Sequence, residues 1–391
     1  ALHELAAMSQ QMTPEQQKEM QAAQEAYAKA SPEQKKAIQA AAMAQMTPEQ
    51  KQQAEAAQRG MQDMSAFCER IKPDPAEPDK ALSTCDMITA LASCPSFALI
   101  GEQCNAATID AIEAALLENA QEADAAGLRD NTESPTMRRN VLLLFWALYR
   151  LKCGDTVEVD AMSEQQLQRA KQLATKVLMQ AQMLVPQQRW VQATLGVARM
   201  SALIVNEVWS HDDEACHVRM KEVLEADGLE YPRLTLRTRT VSGAESAAAA
   251  TAEEPDVLPD DGDAEPEPCS SLPGQHVVVE VEVTRVHAGS GSASSAVSSG
   301  PMNPHGILEA YWLYVEGVKP EGTPNSLLGA QPLVVQDLAL QVIKGKVSFI
   351  APPTPGEYQL AVHVVSTSVV GVDMTGTCSF VVLEDDAPPL V

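Results

Sequence analysis

Along this chain the spacing of apolar residues changes once. Between about residues 80 and 230 they recur at intervals of three and four, and from about 276 they alternate with polar ones. The first spacing lays side chains along one stripe of a helix, the second along one face of a strand. The clearest helical stripe is Leu167, Ala170, Leu173, Ala174, Val177, Leu178 and Ala181. A second one, Trp190, Ala193, Val197, Met200, Ile204 and Trp209, begins after Pro186. Two such helices joined by a short turn make an antiparallel hairpin that buries both stripes. Helices are expected over 106–123, 137–152, 163–184 and 186–209. Strands are expected over 276–283, 309–316, 332–340, 345–350, 357–366 and 377–383, separated by Pro324-Asn325, Lys344-Gly345 and Pro352–Gly356.

Short strands at this spacing predict an immunoglobulin-like or fibronectin type III sandwich. The fold class is thus multidomain α plus β, with an N-terminal all-α region and a C-terminal fibronectin-III/immunoglobulin-like β-sandwich. Residues 1–70 carry an imperfect repeat: Met12-Thr13-Pro14-Glu15-Gln16, Ser31-Pro32-Glu33-Gln34 and Met46-Thr47-Pro48-Glu49-Gln50. Each reads as a helix start, with Ser or Thr at the N-cap, Pro at the first turn and Gln placed to complete a capping box. Its methionines, such as Met8, Met20, Met43 and Met61, give either a loosely packed extension or a soft peptide-gripping surface. Residues 71–79 are Pro-rich and read as a rigid, extended linker. The helical bundle takes 80–241, an acidic disordered loop 242–270, the sandwich 271–384 and a short tail 385–391.

Charge changes the partner expected. With 28 Lys and Arg against 53 Asp and Glu, the chain carries −25. Nucleic acids and anionic lipid surfaces are therefore excluded as partners, and basic protein segments are favoured. The run of Glu253, Glu254, Asp256, Asp260, Asp261 and Asp263 has no Lys or Arg within it and is a candidate docking site for a basic partner. No stretch holds the roughly 18 apolar residues a membrane span needs. The chain starts at Ala1, without a signal peptide, and reads as a fragment or processed product. Eight cysteines without a CxxC pair point to reduced thiols in a cytosol-facing compartment.

No catalytic motif emerges: there is no phosphate-binding glycine loop, no HExxH and no GxSxG. The one cluster of metal-ligand types, His211 with Cys216 and His217, lies in a run with Asp212, Asp213 and Glu214 and reads as a solvated interhelix loop. No cofactor and no enzymatic activity are expected. Trp312 reads as a core residue, whereas function on such a scaffold sits on its loops. The loops from Glu316 to Asn325 and from Thr367 to Asp373 are the candidates.

More specific are Ala310-Tyr311-Trp312-Leu313, Asn325-Ser326-Leu327-Leu328, Phe349-Ile350-Ala351-Pro352 with Pro355-Gly356-Glu357-Tyr358, and Ser366-Thr367-Ser368-Val369-Val370-Gly371-Val372-Asp373. Together they resemble the sandwich signature of the Sec-sixty-three translocation protein family. Upstream, Ser134-Pro135 with Val141–Leu144, and the Arg189-Trp190 helix, are similar to that family's helices, so the likeness covers about 95–383. Val369 and Tyr311 depart from the family's usual Tyr and Trp. The small helical subdomain between bundle and sandwich is shortened, with Met220–Tyr231 as its remnant.

The resemblance implies a cytosolic region at the endoplasmic reticulum membrane, bound to subunits of the protein-conducting channel and supporting post-translational import. Contact with a channel loop would fall to Glu316, Glu321, Thr323, Asn325, Thr367, Ser368, Gly371 and Asp373. An associated membrane protein would be a further partner. The His-Pro-Asp tripeptide of a J domain is missing, so any lumenal Hsp-seventy partner would act only through that absent domain. The alternatives are the bundle-plus-sandwich end of a Ski-two-like RNA helicase and a co-chaperone-like client-binding scaffold.

Overall fold

The computed structural model describes Gln34 and residues 47–384, except 131–133, 227–229, 244–267, 290–295, 298–306, 309, 321 and 336–339. The first two repeats (Gln34 apart) and the acidic run Glu253 to Asp263 lie outside the described residues, as does Glu321. The chain divides into two compact units, Ala1–Met61 and Gln62–Val391. At the third repeat the expected capping box is present: Gln50 N donates to Thr47 Oγ1 (3.2 Å) and Thr47 N to Gln50 Oε1 (2.9 Å). It opens helix α1, Pro48–Ile71, whose residues from Gln62 belong to the second unit.

Residues 72–80 are not the extended linker expected. Asp74 Oδ1 accepts from Ala76 N, Glu77 N donates to Asp74 O, and Lys80 N donates to Glu77 O, giving consecutive turns. An Asp ahead of Pro nucleates such a turn through its own side chain. Helix α2, Thr84–Ala92, follows with a Ser83–Asp86 capping box.

Helices α3 (Ala106–Asn119), α4 (Glu122–Asp130), α5 (Pro135–Cys153), α6 (Ala161–Leu184), α7 (Val191–Asn206) and α8 (Glu214–Ala226) complete the helical part. Helix α5 is its axis. Every residue from Asn140 to Tyr149 is buried, because α2, α3 and α6 pack around it. A helix apolar on all sides is a core helix. Among the described residues no single helix is long and apolar enough to cross a membrane. Asn140, inside this apolar run, is fully used: Oδ1 accepts from Gly101 N (2.8 Å) and Nδ2 donates to Phe97 O (3.0 Å).

Helices α6 and α7 form the expected antiparallel hairpin, with Lys171 beside Glu207 and Gln182 beside Ser201. Pro186 does not start α7. It opens a 3-10 turn, Val185–Gln188, which Arg189 ends in a left-handed conformation (φ 61°). The chain therefore reverses before the helix begins at Val191.

The β part contains β1 (Leu234–Ser242), β2 (Cys269–Ser271), β3 (His276–Arg285), two short strands β4 (Ala296–Val297) and β5 (Ile307–Leu308), then β6 (Ala310–Val318), β7 (Ser326–Val334), β8 (Val342–Ile350), β9 (Gly356–Ser366) and β10 (Met374–Val382). Two sheets, ordered β1-β3-β8 and β2-β10-β9-β6-β7, pack face to face. Val277, Val279, Val281 and Val347 of one join Tyr311, Leu313, Val362 and Phe380 of the other in a single core, with Phe349 edge-on to Phe380 at 5.4 Å.

Two boundaries differ from expectation. Residues 234–241, assigned to the bundle, and Ser242, assigned to the acidic loop, form β1, paired antiparallel with β3. Its inward positions pass from Leu234 and Leu236, packed on the core, to Thr238 and Thr240, which donate to the carbonyls of Thr377 and Ser379 on β10 and tie one edge of the stack. Strand β7 starts at Ser326, not Pro332, and contains Pro332 opposite Trp312. It is an edge strand, where a residue lacking an N–H costs no ladder bond.

Candidate functional site

The structure joins helices and sheets through a seam. One face of α7 turns into the bundle. The other, Val191, Leu195 and Ala198, packs on Tyr314, Leu327, Val365 and Trp312 from the outer face of the five-stranded sheet. Trp312 is thus half-buried at the seam, stacked on Tyr314 at 5.8 Å, while Tyr311 fills the core between the sheets. The indole N–H of Trp312 donates to Gln182 Oε1 (3.2 Å), and Gln182 Nε2 donates to Ser201 Oγ (2.7 Å).

The loop 367–373 is mostly part of this seam. Ser368, Val369 and Val370 are buried. Asn206 Nδ2 donates to Ser368 O (2.8 Å) and Tyr231 Oη to Val370 O (2.6 Å). Asp373 binds Arg199 Nε through Oδ2 (3.0 Å) and Ser366 N through Oδ1 (3.1 Å). Thr367 is half-buried, and Gly371, exposed, adopts φ 82° against His217 and Tyr231. A loop whose carbonyls are satisfied by side chains of the helical part and the segment after it acts first as a joint.

The second candidate loop behaves differently. Gly322, Thr323 and Pro324 are exposed at its tip. Its base is a polar cluster: Asn325 Nδ2 donates to Glu316 Oε1 (2.6 Å), His363 Nε2 donates to Glu316 Oε2 (2.7 Å), and Asn325 N donates to Asp79 Oδ1 (3.1 Å). Burial alone would raise the Glu316 carboxyl, but the hydrogen bonds from His363 and Asn325 outweigh it and hold it below the usual range. A depressed folded value means stability that is present above the unfolded value, about 4.3, and lost as pH falls through the folded one. Glu316→Gln is therefore expected to lower thermal stability at neutral pH and to flatten its fall below about pH 4.3. Melting temperatures across pH 3–7 check this; parallel curves for both proteins would contradict it.

Between α2, α7, the 209–217 segment and Gly371–Thr375 lies a cleft of about 530 Å³. Its polar lining includes Gln121, Gln192, Arg199, His211, Asp212 and Asp373. The region read as a solvated loop is packed: Cys216 is fully buried, His211 Nε2 lies 2.9 Å from Arg199 O, and His217 Nε2 reaches His211 O. Burial lowers the His211 pKa despite nearby Asp373. The segment is drawn inward by Trp209, whose indole N–H donates to Asp213 Oδ2 (2.8 Å) and whose ring stacks on Tyr149 at 5.8 Å.

No group of three or more His, Cys, Asp or Glu is placed to hold a metal among the described residues. At the cleft, Ser83 Oγ donates to Asp86 Oδ2 (2.7 Å) as a helix cap, while Thr375 Oγ1 lies 3.1 Å from Nδ1 of His363, the ring that Glu316 holds through Nε2. None of the eight cysteines forms a disulfide, and burial pushes the Cys94 thiol up to about 12, which keeps it unreactive.

No protein-family model and no curated protein matches the chain. Among solved structures, similarity is found to a β-glucosidase from Listeria innocua in complex with glucose, at 12% identity over 39% of this chain and 16% of that one, TM-score 0.20. A family 123 glycoside hydrolase from Clostridium perfringens aligns at 10% identity over 39% and 28%, TM-score 0.22. The chain thus spans less than a third of either enzyme, and such scores carry neither a family nor an activity.

Proposed function

We propose that this chain is the non-enzymatic, cytosolic part of an endoplasmic-reticulum translocation accessory protein of the Sec-sixty-three type. In this reading its β part is a fibronectin type III-like sandwich that holds the protein-conducting channel. The observation that carries it is where the family-like motifs fall. Trp312 bonds Gln182, Asn325 bonds Asp79, Asp373 bonds Arg199, and Gly371 lies against His217. Motifs far apart in sequence thus serve one purpose, fixing sheets to helices as one body. A module that grips a channel and transmits its position needs that rigidity more than it needs a catalytic group.

The contact surface is the tip around Thr323 with the adjacent turn, where Asp74, Glu77 and Asp79 are exposed. A basic channel loop docking there meets three carboxylates beside Asn325, and rim charges of this kind set encounter rate and partner choice. The acidic run from Glu253 to Asp263 supplies a second contact, for an associated membrane protein.

The test is capture of the tagged full chain from detergent-solubilised endoplasmic reticulum membranes. Channel subunits should accompany it, and Glu77→Lys with Asp79→Lys should cut their recovery about tenfold, the ratio given by about 1.4 kcal/mol. Recovery of ribonucleoprotein components in their place would overturn the proposal.

A further inference from the structure

Helix α7 turns a glycine toward the cleft. Gly196 sits in the interior of the helix, where a glycine weakens it relative to alanine. Close packing does not demand it. A Cβ at this position would meet Met87 Sδ at 3.5 Å and Leu82 Cβ and Cδ1 at 3.7 and 3.8 Å, all ordinary contacts. At Gly345, by contrast, a Cβ would fall 2.8 Å from Leu313 Cδ2, so packing explains that glycine. The side chain missing at Gly196 leaves a hollow in the wall of the cleft. Around it the lining is Leu82, Met87, Leu195, Met200 and Leu203. The cleft's volume, about 530 Å³, falls within the range of ligand-binding clefts, about 300–1,000 Å³.

Charge selects what enters. Besides His211 and His217, the charged residues lining the cleft are Arg199, Asp212 and Asp373. Arg199 Nε and Asp373 Oδ2 pair at 3.0 Å and offset each other. Asp212 remains. Its side chain is exposed, and its carboxylate accepts no hydrogen bond and joins no ion pair among the described residues, acting on His211 only through its field. The chain reaches the cleft at Ala81 from the turn that carries Asp74, Glu77 and Asp79, where Lys80 pairs with Glu77 (3.0 Å). These three carboxylates and one ammonium leave that approach negative as well.

We propose that the cleft takes a short basic and apolar segment of a partner protein. An apolar side chain enters the hollow at Gly196, and a Lys or Arg beside it meets Asp212. The inference rests on the proposal that a basic channel loop docks beside Asp79 only for the identity of the partner. It gives that loop an apolar anchor, since rim charges set encounter and partner choice while a residue buried in a pocket supplies most of the affinity.

The experiment is fluorescence anisotropy of a labelled peptide of alternating Lys and Leu, titrated with the full chain. The expected result is saturable binding at least about tenfold tighter than that of a peptide of alternating Lys and Ser, because a leucine side chain leaves water. Gly196→Leu, which fills the hollow from the helix itself, should weaken binding at least about tenfold. Gly196→Ala adds only the Cβ. It should weaken binding less while holding or raising the melting temperature, as the helix gains a better former. Asp212→Asn should weaken binding about two- to fivefold, the scale of an exposed ion pair. The proposal is overturned if the Lys and Leu peptide does not bind, if it binds no tighter than the Lys and Ser peptide, or if both Gly196 variants bind it unchanged. A peptide of alternating Glu and Leu that binds as tightly also overturns it, since the cleft would then ignore charge. The channel reading fails separately: peptide binding lost in Gly196→Leu, with no channel subunits accompanying the unaltered chain from membranes, assigns the cleft to another basic partner.

Discussion

Gly371→Ala is expected to destabilise the protein by about 2–5 kcal/mol and to loosen the seam between helices and sheets. The backbone at Gly371 has φ 82°, which costs an L-residue about 1–2 kcal/mol. A methyl group there would also lie 2.5 Å from His217 Nε2 and 2.6 Å from Tyr231 Oη. Neither neighbour can withdraw cheaply: His217 is tied to His211 O, and Tyr231 donates to Val370 O on the same loop. Overpacking of this kind adds about 1–3 kcal/mol. Equilibrium urea unfolding should show a lower midpoint and, as the seam weakens, separate transitions for helices and sheets. Gly322→Ala is the control, because Gly322 has φ 85° but open space around it. It should cost only the backbone strain. Equal losses for the two variants would refute the packing argument.

Legibility in the sequence followed the number of surfaces each element has to satisfy. Helix α6, with a single buried stripe, was readable to within a few residues. Helix α7 has two: the stripe through Ala193, Val197 and Met200 faces the bundle, while Val191, Leu195 and Ala198 face the sheet. The second stripe is visible in the sequence, but nothing local says what covers it, and so the seam was not foreseen. Strand β1 shows apolar alternation only at Leu234 and Leu236, whereas β3 alternates through Val279, Val281 and Val283. The inward residues Thr238 and Thr240 of β1 are polar, and the 244–267 segment separates it in sequence from the other strands. Long-range pairing, as between Thr240 and Val279, leaves no local mark.

The candidate loops divide by the same logic. The 367–373 loop reads in sequence as a contact loop, yet Val369, Val370 and Val372 are buried, because Asn206 and Tyr231, distant in sequence, hold its carbonyls. Asn325 was singled out as a loop residue for contact, yet its amide caps Glu316 and its backbone binds Asp79, partners that only the fold brings within reach. The His211–His217 segment looked solvated because five of its seven residues are polar or charged. Trp209, just before it, was counted toward the helix stripe, and its stacking on Tyr149 is what draws the segment inward.

The second large effect belongs to an ion pair inside the α6–α7 hairpin. Lys171 is buried in the middle of α6, its side chain 2% exposed, and its ammonium pairs with Glu207 at the end of α7. Glu164, a neighbouring carboxylate, is occupied by Arg150 through both oxygens at 3.0 and 2.9 Å. Glu207→Gln therefore leaves the buried ammonium without its counter-charge, a change that typically costs about 3–5 kcal/mol. Because the Glu207 side chain is 29% exposed, some water can take the place of the carboxylate, and a loss near the lower end, about 3 kcal/mol, is expected. Lys171→Met should cost less, since the carboxylate left behind reaches solvent at the helix end. Combining the two substitutions should restore most of the stability lost in Glu207→Gln, because an apolar side chain of similar length replaces a charge that had no partner. A double-mutant cycle of urea unfolding energies measures this directly. Additive losses would mean that the two groups do not depend on each other, and that the hairpin is held by its apolar stripes alone.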